Sequence, residues 1–91
     1  MGIYVSIPGP LRRHTGGAGD IEAAGSSVQE LLANLATEHE GLRDRLLDED
    51  GRIRRSINVF VNQQNIRHLS GLDTALADGD RVSIVSAIAG G

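Results

Sequence analysis

Three stretches of the chain alternate apolar and polar residues with period two, the mark of a half-buried strand. In the first, Ile3, Val5 and Ile7 share a face; in the second, Ile57, Val59 and Val61; in the third, Val82 and Ile84. Asp20–Ala24 has fewer β-branched residues and reads as a weaker strand closing a hairpin on the first. Leu11–Gly19, between them, reads as a mobile hairpin loop. Helical spacing appears once at length: Val28, Leu31, Leu32, Leu35 and Ala36 form one stripe. Ser27 and Glu30 open it as a capping box, and Gly41 is placed to stop it. Leu42, Leu46 and Leu47 predict a further short helical turn, ended by Asp48-Glu49-Asp50-Gly51. Asn62–Asn65 is a polar turn from which Ile66 starts a short returning strand. Gly71–Leu76 reads as a turn or short helix, and Asp78-Gly79-Asp80 as a tight turn into the last strand.

The element order β-β-α-β-β-β suits an α+β roll, in which one main helix packs across a mixed sheet of about five strands. If the last strand lies parallel to the first, it sits centrally and its C-terminal end projects from the sheet. The chain has 91 residues, the size of one domain, and can bury roughly 60–65% of its unfolded surface.

Composition narrows the chemistry. There is no cysteine, which excludes a disulfide framework, a thiolate zinc site and a cysteine nucleophile. All nine basic residues are arginine, so a phosphate loop of the lysine-bearing kind and Schiff-base chemistry are excluded as well. A net charge of −3 and two aromatic residues, Tyr4 and Phe60, argue against a nucleic-acid partner. The apolar runs are too short for a membrane span and the N-terminus lacks the shape of a signal peptide, so a cytoplasmic location without a membrane partner is expected.

Few side-chain sets look chemical. His14, His39 and His68 share no metal-ligand spacing, and no metal site is expected. Asp48–Gly51 resembles the start of a calcium loop, but Ile57 stands where the bidentate glutamate should be. Arg12, Arg13 and His14 beside Gly16 and Gly17 allow an anion site, against the simpler reading of a loop. Arg52, Arg54 and Arg55 are either a solvated cluster or a docking surface for an acidic partner. No catalytic residue emerges.

The end of the sequence is more distinctive. Ala87-Ile88-Ala89-Gly90-Gly91 carries no charge and little bulk. Two terminal glycines arise by chance in about one chain in two hundred at the average glycine usage of about 7%. A frayed tail is usually polar; this one is small and apolar, and glycine lets it thread a narrow channel. The chain is therefore divided into a domain over 1–86 and a flexible tail over 87–91.

Asp78-Gly79-Asp80-x-Val82-x-Ile84 followed by Ala87–Gly91 resembles the C-terminal signature of the MoaD/ThiS sulfur carriers, ubiquitin-like proteins of the β-grasp fold. Leu11-Arg12-x-His14-Thr15-Gly16-Gly17, Val59-x-Val61-Asn62 and Ile66-Arg67 are similar to the subgroup that carries sulfur for cysteine synthesis in actinobacteria. Ser86 stands where several members have proline. The resemblance implies that the Gly91 carboxylate is adenylated by an ATP-dependent activating enzyme of the MoeB/ThiF kind and converted to a thiocarboxylate. Ala87, Ile88, Ala89 and Gly90 would be the segment threaded into partners. It further implies a sulfurtransferase or persulfide donor, a cysteine synthase-like acceptor and a releasing metalloprotease, with no cofactor bound to the carrier itself. Molybdopterin or thiamin synthesis, protein modification in the manner of ubiquitin, and a plain β-grasp interaction domain are the alternative functions.

Overall fold

The computed structural model describes residues 2–86. The alternating stretches form one five-stranded sheet: β1 (Ile3–Ser6), β2 (Asp20–Ala23), β3 (Ile57–Val61), β4 (Gln64–Asn65) and β5 (Arg81–Ser86). Their spatial order is β2-β1-β5-β3-β4. The last strand is thus central, parallel to β1 through Tyr4↔Arg81, Val5↔Val82 and Ser6↔Ser83, and antiparallel to β3 from Ile57↔Ser86 to Val61↔Val82. This is the α+β, β-grasp arrangement expected from the sequence.

Helix α1 (Val28–Glu38) crosses one face of the sheet. Its cap forms as predicted on one side: the Ser27 hydroxyl oxygen accepts from the Glu30 backbone N–H at 3.1 Å. The return bond differs, since Glu30 Oε1 accepts from the backbone N–H of Ser26 at 2.8 Å, one residue before the cap. Val28, Leu31, Leu32 and Leu35 are buried against Ile3, Val5, Ile7, Ile57, Val59, Val82 and Ile84. One face of β1, β3 and β5 therefore fills the core, and the other carries Tyr4, Ser83 and Val85, as strand alternation requires. Among the described residues no helix is long and apolar enough to cross a membrane.

Three expectations need correction. Gly41 does not stop the main helix: α1 ends at Glu38, His39 departs from helical geometry (φ −132°, ψ 82°), and Gly41 lies inside a second helix, α2 (Glu40–Leu46). A Cβ at Gly41 would collide with the imidazole of His14, so the glycine serves close packing rather than termination. The 11–19 segment is not a loose loop. Gly9–His14 forms a 3-10 helix with Leu11 buried. Thr15, also buried, donates from its hydroxyl to the Ala18 carbonyl at 2.8 Å. Nor does Ile66 begin a strand: the returning strand is Gln64–Asn65, and the Asn65 side chain accepts from the Arg67 N–H at 2.9 Å, turning the chain into a 3-10 helix over Ile66–His68.

Candidate functional site

The site is assembled from the strand that leads to it. β5 is fixed at its upstream end by a polar clamp. Asn62 Nδ2 donates to Asp80 Oδ1 at 3.0 Å, and the Asn62 carbonyl oxygen of the side chain accepts from the Arg81 N–H at 3.0 Å. The Asn62 backbone N–H donates to the Arg81 carbonyl at 2.8 Å, closing the β3–β4 turn onto the start of β5. Asp80 Oδ2 accepts from the Ala77 N–H at 2.9 Å. That bond, and then the Asn62 amide, hold the Asp80 carboxyl below the usual aspartate range. Gly79 turns at φ 88° and donates its N–H to Gly2, while Tyr4 donates to the Asp80 carbonyl, both at 3.0 Å. The Asp-Gly-Asp turn therefore ties β1 and the β3–β4 turn to the start of β5.

At the downstream end, Ser86 lies opposite Ile57. The sequence-predicted site residues Ala87, Ile88, Ala89, Gly90 and Gly91 follow and lie outside the described residues. Arg54 and Arg55 are exposed and close to this exit in the chain, because they directly precede Ser56 and β3. Arg54 is held in place: its Nε donates to the Asp44 carbonyl of α2 at 2.6 Å. Arg52 sits further back, in a turn closed by Asp48 Oδ1, which accepts from Asp50 N–H at 2.8 Å and Arg52 N–H at 3.0 Å. The Arg52 N–H is the main reason the Asp48 carboxyl is held below its usual range. The acidic stretch is thus a self-bonded turn.

An open cleft beside the exit is lined by His14, Gly41, Asp44, Arg45, Arg54 and Ser56. His14 Nε2 is buried without a hydrogen-bond partner. His39 lies at the joint of the two helices and His68 ends a 3-10 helix. Among the described residues no group of three or more His, Cys, Asp or Glu could hold a metal ion. The clamp between Asp80 and Asn62, and the packing of Gly41 against His14, are not legible in the sequence. The glycine and the Asp-Gly-Asp turn were visible, but their partners are distant in sequence.

The sequence profile of the ThiS family matches residues 5–91. The sulfur carrier protein CysO of Mycobacterium tuberculosis is 41% identical over 93 aligned positions, covering all of both chains. A chain in the crystal structure of the Amycolatopsis orientalis BexX/CysO complex superposes with a TM-score of 0.89 at 42% identity, covering 98% of this chain and 99% of that one. The small archaeal modifier protein 3 of Haloferax volcanii is 42% identical over 66 residues, 72% of this chain and 71% of that one.

Proposed function

From a chain that belongs to the ThiS family, and is a sulfur carrier rather than an enzyme, we propose the following chemistry at its end. The Gly91 carboxylate is the group that carries the sulfur. A carboxylate is a poor acyl donor because its leaving group would be oxide. An activating enzyme attaches AMP from ATP, with release of pyrophosphate, and so supplies a good leaving group. A sulfide-level nucleophile from a donor protein then attacks the carbonyl carbon and displaces AMP, leaving a thiocarboxylate at Gly91.

The observation that carries this reading is the central position of β5 together with the five residues that follow it. The strand is pinned by the Asp80–Asn62 clamp, so the next residues continue from a rigid root. Ala87–Gly91 has nothing that would obstruct entry into a narrow channel. The match to the ThiS profile extends through Gly91. In this reading the partners supply the reacting groups, and the work of the described side chains is to position the root of the tail.

Cysteine synthesis is the route we favour, on the full-length similarity to CysO. There the thiocarboxylate sulfur bonds to the β-carbon of an activated serine on a synthase as the activated β-oxygen leaves with its activating group. The resulting thioester passes its acyl group from sulfur to the amine, forming a peptide bond. A metalloprotease hydrolyses that bond, releasing cysteine and restoring the Gly91 carboxylate. The thiamin and molybdopterin routes would use the same group. A second reading, protein modification, is favoured by the similarity to the archaeal modifier protein; isopeptide-linked conjugates on lysines of other proteins would identify it.

Removing Gly91 separates the carrier from a plain interaction domain. The shortened chain should fold as before, by circular dichroism, and lose ATP-dependent activation by its partner, falling at least about a hundredfold, as expected when a reacting group is misplaced by a residue's length. Unchanged activation would overturn the assignment of Gly91.

A further inference from the structure

Five of the nine arginines are gathered by the fold at the end of the sheet where β5 gives way to residue 87. Because β1 runs parallel to β5, the Gly9–His14 helix that follows β1 lies at the downstream end, bringing Arg12 and Arg13. Because β3 runs antiparallel to β5 with Ile57 opposite Ser86, Arg54 and Arg55 enter at that same end. Helix α2 packs on the Gly9–His14 helix, and its Arg45 shares the cleft with His14, Arg54 and Ser56.

All five arginines are exposed. Among the described residues the ion pair found is Arg81–Asp20, at 3.2 Å, so none of the five is locked in a direct ion pair; the nearest offset is Asp48, whose carboxyl the Arg54 charge helps to hold below its usual range. Arg12 and Arg54 donate through Nε to the carbonyls of Ile7 and Asp44, which fixes their place and leaves their charge. Among the described residues Asp44 is the one carboxylate lining the cleft. The upstream end carries Asp78 and Asp80 in the turn before β5. A chain of net charge −3 is thus positive at the root of its tail. Clustered like charges repel, and a complementary surface relieves that repulsion while steering approach.

We propose that Arg12, Arg13, Arg45, Arg54 and Arg55 form a collar round the tail root that docks on an acidic protein surface: a rim of Asp and Glu carboxylates at the mouth of the site receiving the tail. This rests on the carrier reading above. Arginine's planar fork binds carboxylates in pairs of hydrogen bonds, so the rim would fix orientation as well as attract. The chain would arrive end-on with its tail facing the opening. A long phosphate backbone fits less well, since it would meet the acidic remainder of the molecule beyond this end.

Among the described residues Arg45 and Arg55 make no side-chain hydrogen bond, so Arg45→Glu and Arg55→Glu should fold normally. Arg67→Glu, remote on the Ile66–His68 helix, makes the same change in net charge. With the host's activating enzyme and ATP, each collar variant should raise KM about tenfold, the effect falling on KM rather than kcat, and Arg67→Glu less than about twofold. The difference should shrink between roughly 50 and 500 mM salt. An equal rise for Arg67→Glu, or none for the collar variants, would overturn the collar.

A titration with hexaglutamate peptide, followed by NMR, reads the collar without activation. Shifts confined to Gly9–His14, Arg45 and Arg54–Ser56, and lost in Arg55→Glu, would support it even if the enzyme rejects the chain and the carrier reading falls. Shifts scattered over the sheet, tighter binding of a DNA oligonucleotide to the same residues, or collar resonances that move on removing Gly90 and Gly91 alone, would each overturn it. The last would mean that the occupant is the chain's own terminus.

Discussion

At Gly41 a hydrogen atom in place of a methyl group lets the imidazole of His14 lie against α2. Replacing an exposed helical glycine with alanine ordinarily gains about 0.5–1 kcal/mol. Here the sign should invert. Gly41→Ala should lose about 1–3 kcal/mol in urea unfolding, the cost of overpacking. In a His14→Ala background the same change should be neutral or stabilising. A gain with His14 intact would show that the ring moves aside freely. Glycine in a helical pattern has two meanings, a stop or a close approach, and the sequence favours the stop when leucines pause around it. The partner that decides the matter is 27 positions away (41 − 14), which no local pattern reveals.

The elements with strict alternation were legible because burial of one face leaves period two in the sequence: β1, β3 and β5 fall where Ile3–Ile7, Ile57–Val61 and Val82–Ile84 place them. The capped helix was legible for a similar reason, since its cap and stripe are both local. Ile66 was not, because a single apolar residue after a polar turn serves a strand or a 3-10 helix equally; the Asn65 side chain decides it. The clamp between the β3–β4 turn and β5 gives a pH dependence. The carboxyls of Asp80 and Asp48 are both held below the usual range by hydrogen bonds to the charged form. A depressed folded value means the unfolded chain binds protons first. Their contribution is therefore complete above the ordinary aspartate value, about 3.9, and is lost as pH falls through the lower folded values. Stability from urea unfolding should decline below about pH 4, and Asp80→Asn should flatten part of that decline. A variant with the full acid dependence of the parent would show that the clamp does not depend on the charge of Asp80.

On the scale of the whole molecule, the fold separates two jobs. One end of the sheet fixes β5 through Asp80, Asn62 and Gly79; the other releases it beside Arg54 and Arg55. The β-grasp class and the role of carrier were readable from the element order and the Asp78–Gly91 signature. The gathering of five arginines was not, because they come from three segments between residues 12 and 55 and meet only when β1 and β3 flank β5. Arg52, grouped with Arg54 and Arg55 by sequence, has its backbone N–H tied into the Asp48 turn while its side chain stays exposed. The absence of cysteine and lysine leaves the chain's own side chains without a sulfur nucleophile or an amine to compete with its terminus.

The central claim is that Gly91 carries sulfur. Intact mass measurement of the protein, after incubation with its activating enzyme, ATP and a sulfide source, tests it most directly. The account predicts a species in which one oxygen has been replaced by sulfur, with the change confined to the C-terminal fragment on tandem mass analysis. A chain that remains wholly in the carboxylate form while the enzyme is active on another substrate would contradict it.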